Sequence, residues 1–232
     1  MKRLTSAVAL ATLFAASFAQ AQDFSINVGA ISVIPDDSSS SLNTVEQVAG
    51  LPANSTGVVV NTNTQLGLTF DYQWENGWGL ELVAATPFAH DIYGSGTLSG
   101  LSIGKTKHLP PTLFVQYHWD TGVQGLEPFV GVGVNYTTFF DDQASSELTQ
   151  TLQTLGVAGA DDSVDLALSN SWGAAIQAGV NWKLSEQWGA QLMVSHIDID
   201  TTASVRLNGS TIEQTDVAID PYVAMIALRY TF

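Results

Sequence analysis

The sequence predicts an all-β fold, an eight-stranded antiparallel transmembrane β-barrel with short periplasmic turns and long extracellular loops. Three observations carry that prediction. First, the chain is 45% hydrophobic and only 12% charged, with a mean hydropathy of +0.16, yet beyond its N-terminal stretch it has no run of the ~18 apolar residues that a spanning helix needs. Second, eight segments alternate apolar with polar or small residues, the period of a strand. Third, five of the six tryptophans lie on the apolar parity beside short connections. In lipid only helices and closed barrels satisfy every backbone group. The competing fold, a soluble β-sandwich, would bury its tryptophans mid-strand.

The N-terminal stretch, MKRLTSAVALATLFAASFAQAQ, sets Lys2 and Arg3 ahead of an apolar run from Ala7 to Ala19. It closes on Ala19-Gln20-Ala21, a small-x-small site. This is the pattern of a secretory signal peptide, expected to be cleaved after Ala21. Residues 1–21 are therefore the signal, and residues 22–232 a single transmembrane barrel domain in the outer membrane of a Gram-negative bacterium.

DFSINVGAISVI supplies the first strand. In QLGLTFDYQW, Leu66, Leu68, Phe70, Tyr72 and Trp74 oppose Gly67, Thr69 and Asp71. Glu75-Asn76-Gly77 is a tight-turn signal. The third strand then sets Trp78, Leu80, Leu82, Ala84 and Phe88 against Glu81, Val83 and Ala85. In LPPTLFVQYHW, Leu109, Leu113, Val115, Tyr117 and Trp119 oppose Thr112, Phe114, Gln116 and His118. PFVGVGVNYTTFF, WGAAIQAGVNW and WGAQLMVS repeat the pattern, with Val132, Ile176 and Leu192 on their apolar faces. The chain ends YVAMIALRYTF, whose even-numbered residues run apolar to Phe232 and whose other face carries Met225 and Arg229. Near His196–Thr202 the parity shifts, with Ile197 and Ile199 on the former inward side, which predicts a bulge or emergence from the membrane.

Connections near 75–77, 120–127 and 183–187 are short, and those near 35–57, 89–108, 141–170 and 198–216 are long, the outer-membrane pattern. Trp74, Trp78, Trp119, Trp182, Trp188, Tyr230 and Phe232 form an aromatic girdle at the short-turn end, where amphipathic rings sit at headgroup level. Phe88, Tyr136, Phe140, Trp172 and Tyr222 would form the outer one. In the long loop 144–169, Leu148, Leu152 and Leu155 stand at helical spacing with Gly156 as a stop. That suggests a short helix capping the mouth; the alternative is a mobile polar loop.

Composition excludes several functions. Residues 22–232 keep five of the seven Lys and Arg against 22 Asp and Glu, a net charge of −17. Nucleic acid is thereby excluded as a partner, because phosphates want Lys and Arg. With no cysteine, thiolate metal or redox chemistry is excluded. Ser195-His196 cannot form a nucleophile–base dyad, since neighbours on a strand point to opposite faces, and an enzyme is not expected. His90, Asp91 and His108 lack metal-ligand spacing and read as loop-structuring groups. The acidic residues of the long loops, Asp36-Asp37, Asp141-Asp142, Asp161-Asp162, Asp165, Asp198 and Asp200, read as a solvated face. The sequence names no metal site and no cofactor.

NTQLGLTFDY, ELVAATPFAHDI, KHLPPTLFVQYHW, PFVGVGVNYTTFFD, SWGAAIQAGVNW, IDIDTT and IDPYVAMIALRYTF together resemble the OmpW/AlkL family of outer-membrane proteins over nearly the whole of residues 22–232. The resemblance implies an eight-stranded barrel with a narrow, largely hydrophobic lumen, associated with uptake of small hydrophobic molecules and a lateral route into the bilayer.

The inward parity is consistent with that expectation. Asp71, Glu81 and Arg229 would form a paired charge plug near the short-turn end, because buried charges must be paired. Higher up, Val83, Ala85, Phe114, Phe129, Phe139 and Met193 would line an apolar lumen or simply pack it. Pro87 and the pair Pro110-Pro111 cannot donate to a ladder, and gaps there would open the wall laterally. The expected function is thus passive uptake of small hydrophobic solutes. The alternative is a structural or surface-interaction barrel, in envelope stress or adhesion, with a packed, non-conducting lumen. The expected partners are outer-membrane lipid and lipopolysaccharide, small hydrophobic solutes, and the barrel-assembly machinery, since alternation ending in a C-terminal Phe resembles the signal such machinery reads.

Overall fold

The computed structural model describes residues 24–232, so the signal-peptide expectation lies outside the described residues. In chain order the elements are β1 (Phe24–Ile34), β2 (Ser38–Ser39), α1 (Asn43–Ala49), β3 (Thr56–Val60), β4 (Asn63–Gln73), β5 (Trp78–Ala85), β6 (Phe88–Gly96), β7 (Ser102–Leu109) and β8 (Thr112–His118). They continue with β9 (Leu126–Ala144), α2 (Ser146–Thr154), β10 (Val164–Leu168), β11 (Ser171–Lys183), β12 (Trp188–Ile197), β13 (Asp200–Leu207), β14 (Ser210–Ala218) and β15 (Tyr222–Thr231).

Eight strands close into an antiparallel ring, β1-β4-β5-β8-β9-β11-β12-β15 and back to β1. The closing pair runs from Ser25 opposite Thr231 to Ile34 opposite Tyr222, so no edge is left to pair with another chain. The alternation sets the register, because a one-residue slip would turn the whole apolar face inward. Leu66, Leu113, Val132, Ile176, Leu192 and Ile226 all stand exposed on the outside, a continuous apolar surface that a water-soluble chain would not present. Trp74, Trp78, Trp119, Trp182, Trp188 and Phe232 stand exposed with them at the short-turn end.

Above the barrel the long connections are themselves sheets rather than irregular loops. β9, 19 residues long, pairs below with β8 and β11 and above with β7. With β6 and β3 this carries the barrel wall upward. A second sheet, β10-β13-β14-β2, stands beside it. Its central hairpin turns at Asn208-Gly209, both in the left-handed region at φ of 49° and 81°, the Asn-Gly signal of a tight hairpin. α2 confirms the expected short helix. The Ser145 side chain accepts a hydrogen bond from the Leu148 amide at 2.9 Å, Leu148 and Leu152 are buried, and Gly156 takes a φ of 71°.

Two local expectations are corrected, and of the two alternatives at His196–Thr202 the second holds. Phe88 is not in the outer girdle: it is fully buried. Thr86-Pro87 interrupts the strand between β5 and β6, so parity does not carry across and Phe88, His90 and Ile92 turn inward. Leu109 and His108 belong to β7, and the prolines separate β7 from β8 rather than opening β8. At His196–Thr202 the pairing of β12 runs through to Ile197 without a bulge, and both Ile197 and Ile199 are buried. That parity shift marks the strand leaving the membrane with its inward side still on the core.

Candidate functional site

The lumen is stratified by what each strand points inward. At the short-turn end lies an open polar vestibule of about 420 Å³, whose lining includes Ser25, Gln73, Glu127, Asn181, Lys183 and Arg229. Above it sits the charge plug. Arg229 pairs with Asp71 at 3.3 Å and donates to the side-chain oxygens of Asn27 at 3.4 Å and Asn181 at 3.5 Å. Asn27 in turn donates to Thr69 at 2.6 Å and to Asp71. Glu81 is opposite Asp71 across the β4–β5 pair, but its partners are amides. Gln116 and Gln177 donate to one carboxylate oxygen at 2.8 and 2.9 Å, and Gln191 to the other at 3.2 Å. The three residues expected in the plug are all buried in the lumen. The pairing divides them, with the guanidinium on Asp71 and a glutamine cage on Glu81.

The middle of the barrel is filled. Phe114, Phe129, Met193 and Met225 are buried to within 1% of full enclosure. Phe129 packs against His118 with ring centroids 5.1 Å apart. Glycines paired with these rings on the neighbouring strands make the room: Gly133 is the register partner of Phe114, and a Cβ there would come within 2.6 Å of its ring. Below this layer the Gln116 side-chain oxygen accepts from His118 Nε2 at 2.9 Å, and His118 lies 3.8 Å from Glu127.

Above the filled layer the wall opens its ladder. β5 and β8 pair from Trp78 opposite Tyr117 up to Val83 opposite Thr112. β6 and β7 resume the pairing at Phe88 opposite His108. Between them, Ala84–Pro87 on one side and Leu109–Pro111 on the other form no pairs across the seam. The other edges of this stretch are held: the Thr86 amide bonds the Leu66 carbonyl at 2.9 Å, and the Pro111 carbonyl accepts from the Tyr136 amide at 3.1 Å. Directly behind the seam is a small pocket of about 20 Å³ lined by Val83, Ala85, Phe88, Pro110 and Phe114, among others.

Over this, α1, α2 and the upper sheets enclose an apolar cavity of about 220 Å³. Its lining includes Leu42, Ile92, Phe139, Leu152, Leu166 and Ile199. Val33 lines both this cavity and the seam pocket. Phe88, on the pocket side, stacks on His108, on the cavity side, at 5.3 Å, so this pair is the partition between them. Of the six expected lumen residues, Val83, Ala85 and Phe114 thus meet at the seam, Phe139 lines the upper cavity, and Phe129 and Met193 pack the core.

The remaining candidates are placed as follows. His90 and His108 come together at 4.9 Å, while Asp91 is exposed on the opposite face of β6. Ser195 is buried inside the barrel and His196 packs outside against Tyr222 at 4.9 Å. Asp198, Asp200 and Asp220 bring carboxylate oxygens within 4.8 Å of one another at the outer rim. Partial burial and the charges of Asp198, Asp220 and Asp216 raise the Asp200 carboxyl above its ordinary value.

Sequence reasoning missed three features. The glutamines around Glu81 lie on β8, β11 and β12, and only their inward parity marked them. The Asn-Gly turn at 208–209 was a legible hairpin signal. Glu46 on α1, buried and accepting from the Asn54, Ser55 and Thr56 amides at 2.9–3.0 Å and the Thr56 hydroxyl at 2.8 Å, left no pattern to find.

Comparison with known proteins adds to this geometry. A family model described as "OmpW family" matches residues 20–232. The chain is 41% identical to Outer membrane protein W of Vibrio cholerae serotype O1 over 216 residues, 92% of this chain and 90% of that protein. The crystal structure of the outer membrane protein OprG from Pseudomonas aeruginosa superposes with a TM-score of 0.77 at 39% identity, covering 91% of this chain and 96% of that one. A more distant relative, the "Dibenzothiophene metabolism operon protein PahQ" of Pseudomonas aeruginosa, is 25% identical over 170 residues, 73% of this chain and 72% of that protein.

Proposed function

The chain belongs to the OmpW family and is a β-barrel of the Gram-negative outer membrane, and from that premise we propose that it admits small hydrophobic molecules passively and releases them sideways into the bilayer. The observation that carries this reading is the unpaired seam at Ala84–Pro87 and Leu109–Pro111. It lies beneath an apolar cavity and above a filled lumen. A solute in the cavity has the Phe88–His108 partition and the small seam pocket between it and lipid. Downward it meets buried aromatics, then a caged glutamate and an ion pair, where an apolar molecule would break hydrogen bonds it cannot replace. Lateral exit keeps the solute in apolar surroundings throughout. The dibenzothiophene in the name of one relative is an apolar polycycle, a solute of the kind the cavity suits.

The chain acts in this reading as a conduit without catalysis: Ser195 and His196 stand on opposite faces of β12, and no base reaches the serine. Its partners are membrane lipid and the solute, with barrel-assembly machinery engaged through β15. The filled mid-lumen also fits the second reading, a structural barrel that conducts nothing. Uptake separates the two. Cells carrying the protein should accumulate a fluorescent polycyclic hydrocarbon faster than cells without it at matched growth. Ala85→Phe, which fills the seam pocket, should bring uptake to the level of cells lacking the protein with barrel abundance unchanged. Gln73→Trp, in the polar vestibule, should leave it intact. Equal uptake with and without the protein would sink the transport reading, and a block by Gln73→Trp alone would place the exit at the periplasmic end.

A further inference from the structure

The strands above the membrane close into a ring of their own. Ladders join β3, β6, β7 and the upper part of β9, and ladders join β10, β13, β14 and β2. These two sheets meet at two joints, β9 with β10 and β2 with β3, and no register pair spans either joint among the described residues. Side chains close both. At the first, Asp142 accepts from the Leu168 amide at 3.0 Å and the Thr106 hydroxyl at 2.6 Å, and Asn170 accepts from the Phe139 amide at 3.2 Å. At the second, the Val58 amide on the edge of β3 donates to the Ser39 hydroxyl oxygen at 2.8 Å, and the Val60 amide to the Asp37 carboxylate at 2.5 Å. The apolar cavity lies directly behind this second joint, with Leu42, Val58, Val60 and Val217 in its lining.

The joints differ in what an opening would move. β9 runs on into the membrane, where it pairs with β8 and β11, so the barrel below anchors the first joint. β2 is two residues long and its ladder is with β14 alone. Ser40, next to it, bonds Thr215 and Asp216 of β14 at 2.8–3.0 Å, which keeps β2 with β14. Glu46 binds α1 to residues 54–56, so α1 travels with β3. Four side-chain bonds cross the line between these halves. They are those of Ser39 and Asp37, one from the Val45 amide to Glu213 at 2.9 Å, and a long one from Ser41 to Asn54 at 3.4 Å. Once parted, amides at the outer surface bond water instead, so each loss is only the small net worth of a hydrogen bond. Parting a ladder such as β6–β7 would break a row of backbone pairs at once.

We propose that the β2–β3 joint is the entry gate of the upper cavity: α1 and β3 part from β2 and β14, a small apolar solute passes between them, and the side chains of Asp37, Ser39 and Glu213 close the line again behind it. This rests on the uptake reading above and adds to it a moving part on the outer side.

The chain has no cysteine, so a lock can be built across the joint. A Cβ on Gly57 would lie 2.8 Å from the Ser39 hydroxyl oxygen, within the reach of a disulfide, and Ser39→Cys with Gly57→Cys should oxidise there. A control lock, Thr202→Cys with Asp216→Cys, ties register partners of β13 and β14 whose side chains already meet at 3.0 Å. Uptake of the fluorescent polycyclic hydrocarbon is followed in cells with each lock oxidised, and again after reduction by a phosphine, at matched barrel abundance. Oxidising the joint should bring the initial rate down to that of cells lacking the protein, and reduction should restore it. The control lock should leave the rate unchanged in both states. Should the cysteine pair fold poorly, Asp37→Ala with Ser39→Ala removes two of the crossing bonds and should raise the rate several-fold. Undiminished uptake with the joint oxidised overturns the gate and leaves the uptake reading standing. So does an equal loss with the control lock, or an unchanged rate in the alanine variant. Equal uptake by cells with and without the unsubstituted protein overturns both.

Discussion

Arg229 and Asp71 meet across 158 residues of chain, each placed on the inward side by strand parity. An exposed ion pair is worth little, but this one is almost fully buried, at 9% and 3% side-chain exposure. Its loss would leave a carboxylate in the lumen with amide and hydroxyl partners but no cation. Arg229→Met is expected to destabilise the barrel by about 3–5 kcal/mol, and adding Asp71→Asn should recover most of that. Urea unfolding in lipid vesicles checks both; a single substitution with no effect would mean the pair is already solvated. Parity was enough to place Asp71, Glu81 and Arg229 together in the sequence. It could not say which carboxylate the arginine would choose. That choice was made by Asn27 and Thr69 beside Asp71 and by three glutamine amides converging on Glu81 from strands remote in sequence.

Among the elements, the same patterns that found the barrel strands failed in the connections above them. A barrel strand announces itself because one face meets lipid and the other the lumen, giving clean alternation. The strands above the membrane pack against one another around a shared core, and their signal is weaker. Pro87 and Pro110-Pro111 were legible as ladder breaks, but a break also resets parity, which is why Phe88 turns in. One residue carries most of the hydrogen bonds between α1 and the segment that follows it. Glu46 accepts four hydrogen bonds from residues 54–56, led by the Thr56 hydroxyl, and they hold its carboxyl below the ordinary glutamate value of 4.5. A lowered native value means that this contribution is complete above the ordinary value. It is lost as pH falls through the native one. The Ser55 and Thr56 amide resonances should therefore titrate with a midpoint below 4.5, and Glu46→Gln should abolish that titration. A midpoint at or above 4.5 would show the carboxylate unengaged.

For the molecule as a whole, closure is what turns eight amphipathic strands into a membrane protein, because an open edge in lipid would leave a row of amides and carbonyls unpaired. Phe232 takes part in that closure. Its amide bonds the Phe24 carbonyl at 3.0 Å, and its ring lies 4.9 Å from Tyr230 and 5.5 Å from Phe24. Deleting Phe232 is expected to lower the amount of barrel in the outer membrane several-fold. Uptake per assembled barrel should stay unchanged. Quantitative immunoblotting of outer-membrane fractions alongside the uptake assay separates the effects; normal levels after deletion would remove the assembly role.

The sequence by itself determined the barrel, its lipid-facing side, its aromatic belt at the short-turn end and the family, because each depends on residue type at period two and on turn chemistry, which are local. Only the tertiary structure decided that the lumen is filled at mid-height, that the seam sits beneath a roofed cavity, and that side chains close the joints of the ring around it. Those features depend on how side chains from non-adjacent strands share a volume. Alternation says which way a residue points, and what it meets there is settled by the closed wall opposite.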